Sequence, residues 1–387
     1  MDIPAPWREP VFERVGRELG ADFHVVYFRD NETRRLWKFP HGKHSRSILP
    51  GYNFVLFGVE RFFNPGIVGY LLRNRPRVAL IFASTKDPSG FLALLTCRLM
   101  GTKIILMSDT WMGRDRNINW IQRLVRRVIY RWFADAYVGA SKRTLEMFAH
   151  YNPKARPEQG YLSHLVADND FFTQKLAAGP VARDYDVLLS GRIAPEKNPV
   201  FFAEVCGRIK TRRGRCRALV MGSGSEELKA AMEAAMRRLG VDYHFAGFIQ
   251  RDDLPAHYAR AKLLLLPSGG DCWGVVINEA MAAGTPVITT EWTAAAGELV
   301  LDGVNGHVLP LDEEVWSERI CGLLDDPARL DAFGRRARET VARFSFDTAA
   351  AGMVAALRGC ASGGGGGAAF PAAPPSGPGP AAAQPHR

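Results

Sequence analysis

The sequence predicts an α/β protein with two domains, each built on a parallel β-sheet. Three observations indicate this class. The chain has 387 residues, more than one hydrophobic core usually supports, and 47% of them are hydrophobic. Short runs of β-branched and aromatic residues alternate with helical periods, as in parallel sheets. A polar stretch containing Gly and Pro, Thr173–Asp184, separates two such series.

The elements of each series follow from these patterns. The first series predicts strands at His24–Phe28, Phe54–Val59, Val78–Ala83, Ile104–Ser108 and Ala136–Gly139. Its helices are expected at Gly66–Arg73, Gly90–Met100 and Asn117–Phe133. The second series predicts strands at Tyr185–Ser190, Arg217–Met221, Tyr243–Ala246, Leu263–Pro267, Val287–Thr290 and His307–Leu309. Its helices include Glu226–Leu239, Val275–Ala283 and a last helical stretch, Asp326–Leu357.

These patterns divide the chain into two domains and a tail. The N-terminal domain is expected over 1–175 and the C-terminal domain over 184–340. From 361 to 387 the composition collapses into Gly, Ala and Pro, which bury too little apolar surface to offset chain entropy, so this tail is predicted to be disordered.

Charge is shared unevenly between the halves. Residues 1–180 hold 27 Lys and Arg against 16 Asp and Glu, which accounts for the whole positive excess of the chain. The positive electrostatic field of such a surface favours an anionic partner, whether nucleic acid, an acidic membrane or a phosphate-bearing lipid. Nucleic acid is the least expected partner, because the arginines match no reading motif.

Composition also bears on location and metal binding. The six cysteines form no CxxC pair and no His/Cys spacing typical of zinc, so reduced thiols and no metal site are expected. No window approaches the roughly 20 apolar residues of a spanning helix. The start of the chain has no apolar core of a secretion signal. A cytoplasmic protein is therefore expected.

The stretch from Pro267 to Glu291 carries the most chemical information. A buried strand runs into a Gly-rich turn, and a helix begins near Val275, whose free N–H groups and positive dipole end form an anion site. Gly274 lets the backbone approach closely. A diphosphate could lie there.

Two acids in this stretch, Asp271 and Glu279, are separated by seven residues and are followed by an Ala-Met run, Gly284 and Pro286. In this the sequence resembles the family-4 glycosyltransferases of the GT-B fold. The resemblance implies that Glu279 binds the ribose hydroxyls of a nucleotide and Asp271 touches the transferred sugar. In isolation the two acids would be read as a turn residue and an exposed helix residue.

A second match follows the first strand of the C-terminal domain. Gly191-Arg192 and Lys197 resemble the Gly-Arg-x-x-x-x-Lys signature of the family. Fixed cations beside the leaving diphosphate stabilise the charge that develops when the anomeric C–O bond breaks, without a metal. As isolated residues, Arg192 and Lys197 would be expected to lie solvated on the surface.

Weaker matches complete the expected donor site. Gly222 and Gly224 resemble the Gly-x-Gly turn of the family, and Phe248 lies in the segment beside the base. A nicotinamide fingerprint would need a third glycine at 227, which is Glu227, so a dehydrogenase is set aside. Glu298, further on, matches the family as a structural residue with a site role left open. The expected donor contacts are Gly191, Arg192, Lys197, Gly222, Gly224, Phe248, Asp271, Trp273, Gly274, Val275 and Glu279.

The acceptor side is read from the N-terminal domain. Asp109 ends a strand where family members often place His or Asp facing the sugar, and it is the catalytic candidate beside Arg192, Lys197 and Asp271; a helix cap or turn is the alternative. On Asn117–Phe133, an apolar face with Ile121 and Leu124 is expected to pack on the sheet. Its arginine face either is solvated or contacts a membrane surface or lipid phosphate.

The first residues resemble what the family has just after its first strand. Ile3–Glu13 resembles the loop leading into the first helix, and no strand precedes it. The N-terminal domain is thus expected to lack its first strand, through a start site set too far downstream or through a real loss.

The resemblance implies two facing Rossmann-like domains with a central cleft, and a C-terminal helix, 341–360, that crosses back to the N-terminal domain. It implies retaining transfer of a sugar from a nucleotide sugar to a glycan or lipid-linked acceptor, without metal or cofactor, in cell-surface polysaccharide or glycolipid biosynthesis. An anionic membrane surface is a further expected partner, with the protein peripheral to its inner face. The alternatives are a sugar-nucleotide 2-epimerase of the same fold and an inactive nucleotide-sugar-binding relative.

Overall fold

A computed structural model of the protein describes residues 3–30, 42–56, 59–82, 88–114, 118–179 and 181–363. Beyond residue 363, the tail predicted to be disordered lies outside these ranges. Within them, none of the helices combines the length and apolar character needed to cross a bilayer.

The N-terminal domain contains a four-stranded parallel sheet, a separate parallel pair and an antiparallel hairpin. The sheet has the order β5-β6-β7-β8, the pair is β1-β2 and the hairpin is β3-β4. The strands are β1 (Val25–Tyr27), β2 (Arg46–Ile48), β3 (Tyr52–Leu56), β4 (Val59–Phe63), β5 (Val78–Phe82), β6 (Lys103–Ser108), β7 (Ala136–Gly139) and β8 (Gly160–Leu162). The helices are α1 (Glu9–Leu19), α2 (Gly66–Asn74), α3 (Pro88–Leu99), α4 (Trp120–Trp132) and α5 (Lys142–Tyr151). The next helix along the chain, α6 (Asn169–Leu176), packs on the C-terminal domain through Phe172.

One strand prediction in this domain is wrong. The apolar run Phe54–Val59 was expected to form a single strand of a parallel sheet. Instead it spans the end of β3 and the start of β4, which pair antiparallel with Leu56 opposite Val59. Residues 57 and 58 between them lie outside the described ranges. An apolar run continues through a tight hairpin as readily as through one strand, so periodicity could not distinguish them.

The C-terminal domain is built on six parallel strands in the order β11-β10-β9-β12-β13-β14. They are β9 (Tyr185–Ser190), β10 (Arg217–Met221), β11 (Asp242–Gly247), β12 (Ala261–Leu266), β13 (Val287–Thr289) and β14 (Gly306–Val308). The helices are α7 (Pro199–Arg213), α8 (Glu226–Arg238), α9 (Leu254–Ala259), α10 (Val275–Ala282), α11 (Glu313–Leu324), α12 (Pro327–Val341) and α13 (Phe346–Ser362). The predicted parallel sheets in both domains are confirmed.

The order of these six strands places a crevice in the sheet. Successive strands run outward from β9 through β10 to β11, and then the chain returns to the other side of β9 with β12. Helices that follow β9 and β12 therefore cover opposite faces, and the chain leaves the carboxyl ends of the two strands in opposite directions. Ligands of open parallel sheets bind in such a crevice.

The last helical stretch, predicted as one run over Asp326–Leu357, is two helices. α12 ends at Val341, and α13 begins after the capping residue Ser345. α13 packs on α1 and on the four-stranded sheet of the N-terminal domain. Its contact with β8 is close: a Cβ on Gly352 would lie 1.8 Å from the carbonyl oxygen of Leu162.

The prediction for the packing of α4 is wrong. The face with Ile121 and Leu124 was expected to pack on the sheet, yet both side chains are 51% exposed. α4 is buried through Arg126, Ile129 and Tyr130 instead. Tyr130 packs edge-on against Phe148 of α5, and the Arg126 guanidinium lies over the Tyr151 ring. The contacts of Tyr130 and Arg126 with α5 therefore determine which side of α4 is buried, although the apolar stripe of the helix is wider.

The close approach of α13 to β8 gives a testable consequence. Gly352→Val should lower the free energy of unfolding by about 2 kcal/mol or more, because the new side chain must displace α13 from β8. Urea denaturation measures this. Gly322→Ala in α11 is the matched control, since a Cβ there meets nothing within 4 Å and should leave stability unchanged or slightly raised. Equal midpoints for the two variants would contradict the packing described.

Candidate active site

Loops at the carboxyl ends of β9, β10 and β12 meet in the crevice of the C-terminal sheet. Gly191 follows β9 with φ +125°, and Gly222 follows β10 with φ +139°. A Cβ on Gly222 would lie 1.8 Å from the carbonyl oxygen of Gly191. Gly224 approaches Ile193 as closely, with a Cβ distance of 2.1 Å to its carbonyl oxygen. The two loops thus need Gly222 and Gly224 for their own packing, before any ligand is considered.

The N-terminus of α10 lies beside the loop after β9. Gly274 adopts the left-handed conformation, with φ +93°, and the helix begins at Val275. A Cβ on Gly191 would be 3.8 Å from a methyl group of Val276, so the loop backbone and the first helical turn are neighbours. N–H groups of a first helical turn attract anions. The structure brings Gly191, Gly274 and Val275 together as predicted contacts for a diphosphate.

Glu279 lies one turn further along α10. Its Oε2 accepts a hydrogen bond of 2.6 Å from the hydroxyl of Tyr258. Tyr258 is fully buried, and its hydroxyl oxygen is 2.8 Å from Oγ of Ser190, the last residue of β9. Burial raises the pKa of Glu279 to about 7, although the Tyr258 hydrogen bond favours the carboxylate. The Ser190–Tyr258–Glu279 chain fixes the carboxyl group across the crevice.

Lys197 and Asp271 form an ion pair between the loops after β9 and β12. Each side chain is 16% exposed, so both are largely shielded from water. Around them the loops are joined by backbone contacts: the carbonyl of Glu196 accepts from the N–H of Gly269 at 2.7 Å and from the hydroxyl of Ser268 at 3.1 Å. A cation and an acid are thereby held beside the α10 N-terminus.

Arg192 is not part of that pair. Its side chain is 67% exposed, and its Nη2 donates to Oε1 of Glu196 at 2.7 Å. Arg114 of the N-terminal domain also reaches Glu196, at 3.9 Å. The predicted cations are thus separated: Lys197 lies inside the crevice and Arg192 at its rim. Phe248, the predicted base contact, is half-buried at the end of β11.

Trp273, a predicted donor contact, does not present its ring to the crevice. The side chain is fully buried, and its indole N–H donates to Oδ1 of Asn278 at 2.8 Å. The ring packs against His164 and Phe344, with centroid distances of 5.3 and 5.8 Å. Its size and apolar surface favour the core, so only its backbone remains for a ligand.

Asp109 lies at the carboxyl end of β6, on the N-terminal side of the cleft. Its Oδ1 accepts from Nη2 of Arg8 at 2.5 Å, and the carboxylate side chain is 30% exposed. Arg8 is fully buried and also donates to the carbonyl and hydroxyl of Ser163, at 3.2 and 3.3 Å. A buried guanidinium thus orients the acid that the sequence placed on the acceptor side.

Two residues beyond Asp109, Trp111 connects the domains. Its indole N–H donates to the carbonyl oxygen of Asp271 at 2.8 Å. The Arg143 guanidinium lies 4.6 Å from the Trp111 ring centroid and donates to the carbonyls of Glu291 and Thr293. The segment that carries Asp109 is therefore fixed to the segment that carries Asp271.

Glu298 makes the second connection between the domains. Its side chain is 8% exposed; Oε1 lies 2.7 Å from Nε2 of His164, and Oε2 accepts from the Lys142 N–H at 3.0 Å. The carboxylate thus contacts the His164 side chain and the first N–H of α5, both from the N-terminal domain. These contacts support the interpretation of Glu298 as a structural residue.

Sequence reasoning missed Arg8, Tyr258, Ser190 and Trp111. Arg8 and Tyr258 carried no local signal, since each acts on a partner far along the chain. Ser190 was recognised only as the end of a strand. Across the described ranges, no cluster of three or more His, Cys, Asp or Glu side chains is arranged to hold a metal ion.

Comparison with known proteins agrees with this geometry. Residues 172–340 match the family model of glycosyl transferases group 1. The D-inositol 3-phosphate glycosyltransferase of Segniliparus rotundus is 32% identical over 182 residues, which cover 46% of this chain and 40% of that protein. The alpha-D-kanosaminyltransferase of Streptomyces kanamyceticus is 29% identical over 310 residues, 73% of this chain and 77% of that one. The alignments to the D-inositol 3-phosphate enzymes thus span only about two fifths of their length.

Solved structures resemble the chain across both domains. Anabaena Alr3699/HepE, in complex with UDP, superposes with a TM-score of 0.70 and 17% identity over 92% of this chain and 100% of that one. The sucrose-phosphate synthase of Thermosynechococcus elongatus gives 0.71 and 16% over 94% and 99%. These likenesses show the fold, which is the predicted GT-B arrangement. Residues 172–340, which include most of the C-terminal domain, are thus similar to the group 1 glycosyltransferases.

Proposed function

We propose that this protein transfers a sugar from a nucleotide-sugar donor to a glycan or lipid-linked acceptor, with retention of the anomeric configuration and without a metal. The observation that supports this most strongly is the crevice between β9 and β12. There Glu279, the α10 N-terminus and the Lys197–Asp271 pair lie together at the carboxyl ends of adjacent strands, a combination that suits a nucleoside diphosphate bearing a sugar.

Each part has a chemical task in this proposal. The carboxylate of Glu279 accepts hydrogen bonds from the ribose hydroxyls. The first turn of α10 and Lys197 receive the diphosphate and stabilise its charge as the anomeric bond breaks. Asp271 lies where the transferred sugar would reach, and Asp109, oriented by Arg8, faces the acceptor across the cleft.

The biological setting is part of the proposal. The protein would act in cell-surface polysaccharide or glycolipid synthesis, in the cytoplasm and peripheral to the inner face of an anionic membrane. A sugar-nucleotide 2-epimerase is not favoured, because the family match and the two relatives named above are glycosyltransferases. An inactive binder would keep Glu279 and Lys197 but would not turn the donor over.

A donor screen tests the proposal. UDP-, GDP- and ADP-sugars are added in EDTA, and thermal shift and release of nucleoside diphosphate are measured. At least one donor should stabilise the protein and be hydrolysed or transferred, and Glu279→Ala should abolish both effects. Glu227→Ala, an exposed helix acid on α8, is the control and should behave as wild type. Stabilisation without release would indicate the inactive binder; no response to any donor would refute the proposal.

The titration of Glu279 predicts a pH dependence. Its pKa is raised to about 7 in the free protein, and ribose hydroxyls need the carboxylate as acceptor. Donor affinity should therefore increase with pH up to about 7, by up to about tenfold per unit, and stay constant above it. Calorimetry with a bound nucleotide sugar measures this, and Glu279→Gln should remove the slope. An equally steep slope in the Gln variant would assign the titration to another group.

The interdomain hydrogen bond of Trp111 predicts a positioning effect. Trp111→Phe keeps a ring beside Arg143 but loses the donor to the Asp271 carbonyl, so turnover should decrease by up to about tenfold, as for one lost hydrogen bond. Donor affinity should change less, because the donor site lies in the other domain.

A control for Trp111 exists within the C-terminal domain. Trp316 also donates its indole N–H to a backbone carbonyl, that of Pro310, at 2.7 Å, but far from the cleft. Trp316→Phe should lower thermal stability without a selective loss of turnover. If both variants lost turnover equally relative to their stability, Trp111 would have only a structural role.

A further inference from the structure

The outward faces of α3 and α4 carry large apolar side chains that are exposed rather than buried in the core. On α4 five of them are at least 44% exposed: Trp120, Ile121, Leu124, Val128 and Trp132. On α3 the side chains of Phe91, Leu95 and Leu99 are 49%, 40% and 80% exposed. Water-exposed apolar groups concentrated in this way mark an interaction surface.

Both helices lie on the same side of the N-terminal sheet. Alternate residues of β6 face opposite cores, and Ile104 and Leu106 contribute to the core that contains the buried residues of α3 and α4. Ile105 and Met107 contribute to the other core, with α1 and α13. The exposed faces of α3 and α4 therefore point away from the same side of the sheet, and we call them together the α3–α4 face.

Basic residues accompany the apolar ones on this face. Arg123, Arg127 and Arg131 are exposed and recur every fourth residue, so they form one ridge of α4. Leu124, Val128 and Trp132 form the ridge beside it. Arg98 adds an exposed cation on α3. Neither helix contains an Asp or Glu.

This arrangement limits the kind of partner. A water-facing helix would alternate charges of both signs, and an acidic protein groove would offer nothing to Trp120 and Trp132. Arginines beside tryptophans and leucines match a bilayer surface, where phosphates bind the cations and the apolar side chains enter the boundary with the acyl chains. We infer that the α3–α4 face docks on an anionic lipid membrane, with α4 lying parallel to the surface.

The inference deepens the proposed function by naming the surface and its partner, and it rests on that function only for its purpose. Its evidence is independent, because the α3–α4 face shares no residue with the donor crevice. Docking would hold the N-terminal domain, which carries Asp109, against the membrane. It would thereby bring a lipid-linked acceptor to the cleft.

Two triple variants test the inference. R123Q/R127Q/R131Q removes the cationic ridge, and W120S/L124S/W132S removes apolar side chains from exposed positions, so neither should perturb folding appreciably. Co-sedimentation is measured with vesicles of phosphatidylcholine alone and of phosphatidylcholine mixed with phosphatidylglycerol. The wild type should bind only the mixed vesicles, and less at high salt.

The expected losses are large. Each arginine near an anionic leaflet contributes about fivefold to partitioning, so the charge variant should bind on the order of a hundredfold more weakly. The apolar variant should lose at least as much. Control variants in the C-terminal domain, R319Q/R335Q/R336Q and V304S/L311S, remove exposed arginines and exposed apolar side chains elsewhere on the protein and should bind like the wild type.

Three results would overturn the inference: no binding of the wild type to mixed vesicles, equal losses in the control variants, or a dimer in light scattering that the apolar variant dissociates while vesicles remain unbound. The last would assign the face to a second copy of the chain. The donor-induced thermal shift is recorded for every variant; it should be unchanged, which separates a failure of docking from a failure of the donor site.

Discussion

The carbonyl oxygen of Glu196 accepts hydrogen bonds from the N–H of Gly269 and the hydroxyl of Ser268, and so joins the loops that follow β9 and β12. Strands β9 and β12 are adjacent in the sheet, but their following helices lie on opposite faces, which would separate these loops. Because the loops are held together, Lys197 can reach Asp271 across the crevice. The site thus depends on the main-chain carbonyl of Glu196, a contact that the side-chain pattern of the sequence does not indicate.

A second constraint connects this crevice to the other domain. The Asp271 segment accepts from Trp111, and Trp111 lies two residues beyond Asp109 on the N-terminal side. Arg143 packs on the Trp111 ring and binds carbonyls of the C-terminal domain. The position of Asp109 relative to Asp271 therefore depends on how the two domains are oriented. The two sides of the cleft are coupled through these polar contacts and through an apolar cluster that holds Trp111 together with Leu266 and Trp273.

The sequence predicted the C-terminal domain well and the N-terminal domain less well, for a physical reason. Around Gly274 and Glu279, the residues that shape the turn and helix are neighbours in sequence of the predicted ligand contacts. The motif is therefore local and can be recognised from the sequence. Arg8 is different: its partner Asp109 is about a hundred residues away, and a buried arginine near a chain start gives no pattern. Tyr258 is likewise an ordinary helix tyrosine until the fold places it against Glu279. Such contacts depend on tertiary structure alone.

α4 shows why amphipathic periodicity identifies a stripe but not its direction. The rule that the apolar side faces the core assumes that water is the only alternative environment. Here Ile129 and Tyr130 are enough to fix the helix, and Leu124 and Trp132 remain outside. α4 begins shortly after Trp111 and Arg114, which contact the C-terminal domain at the cleft. A surface that docks on lipid would then adjoin the entrance to the site, and in the proposed function it would bring a membrane-held acceptor towards Asp109.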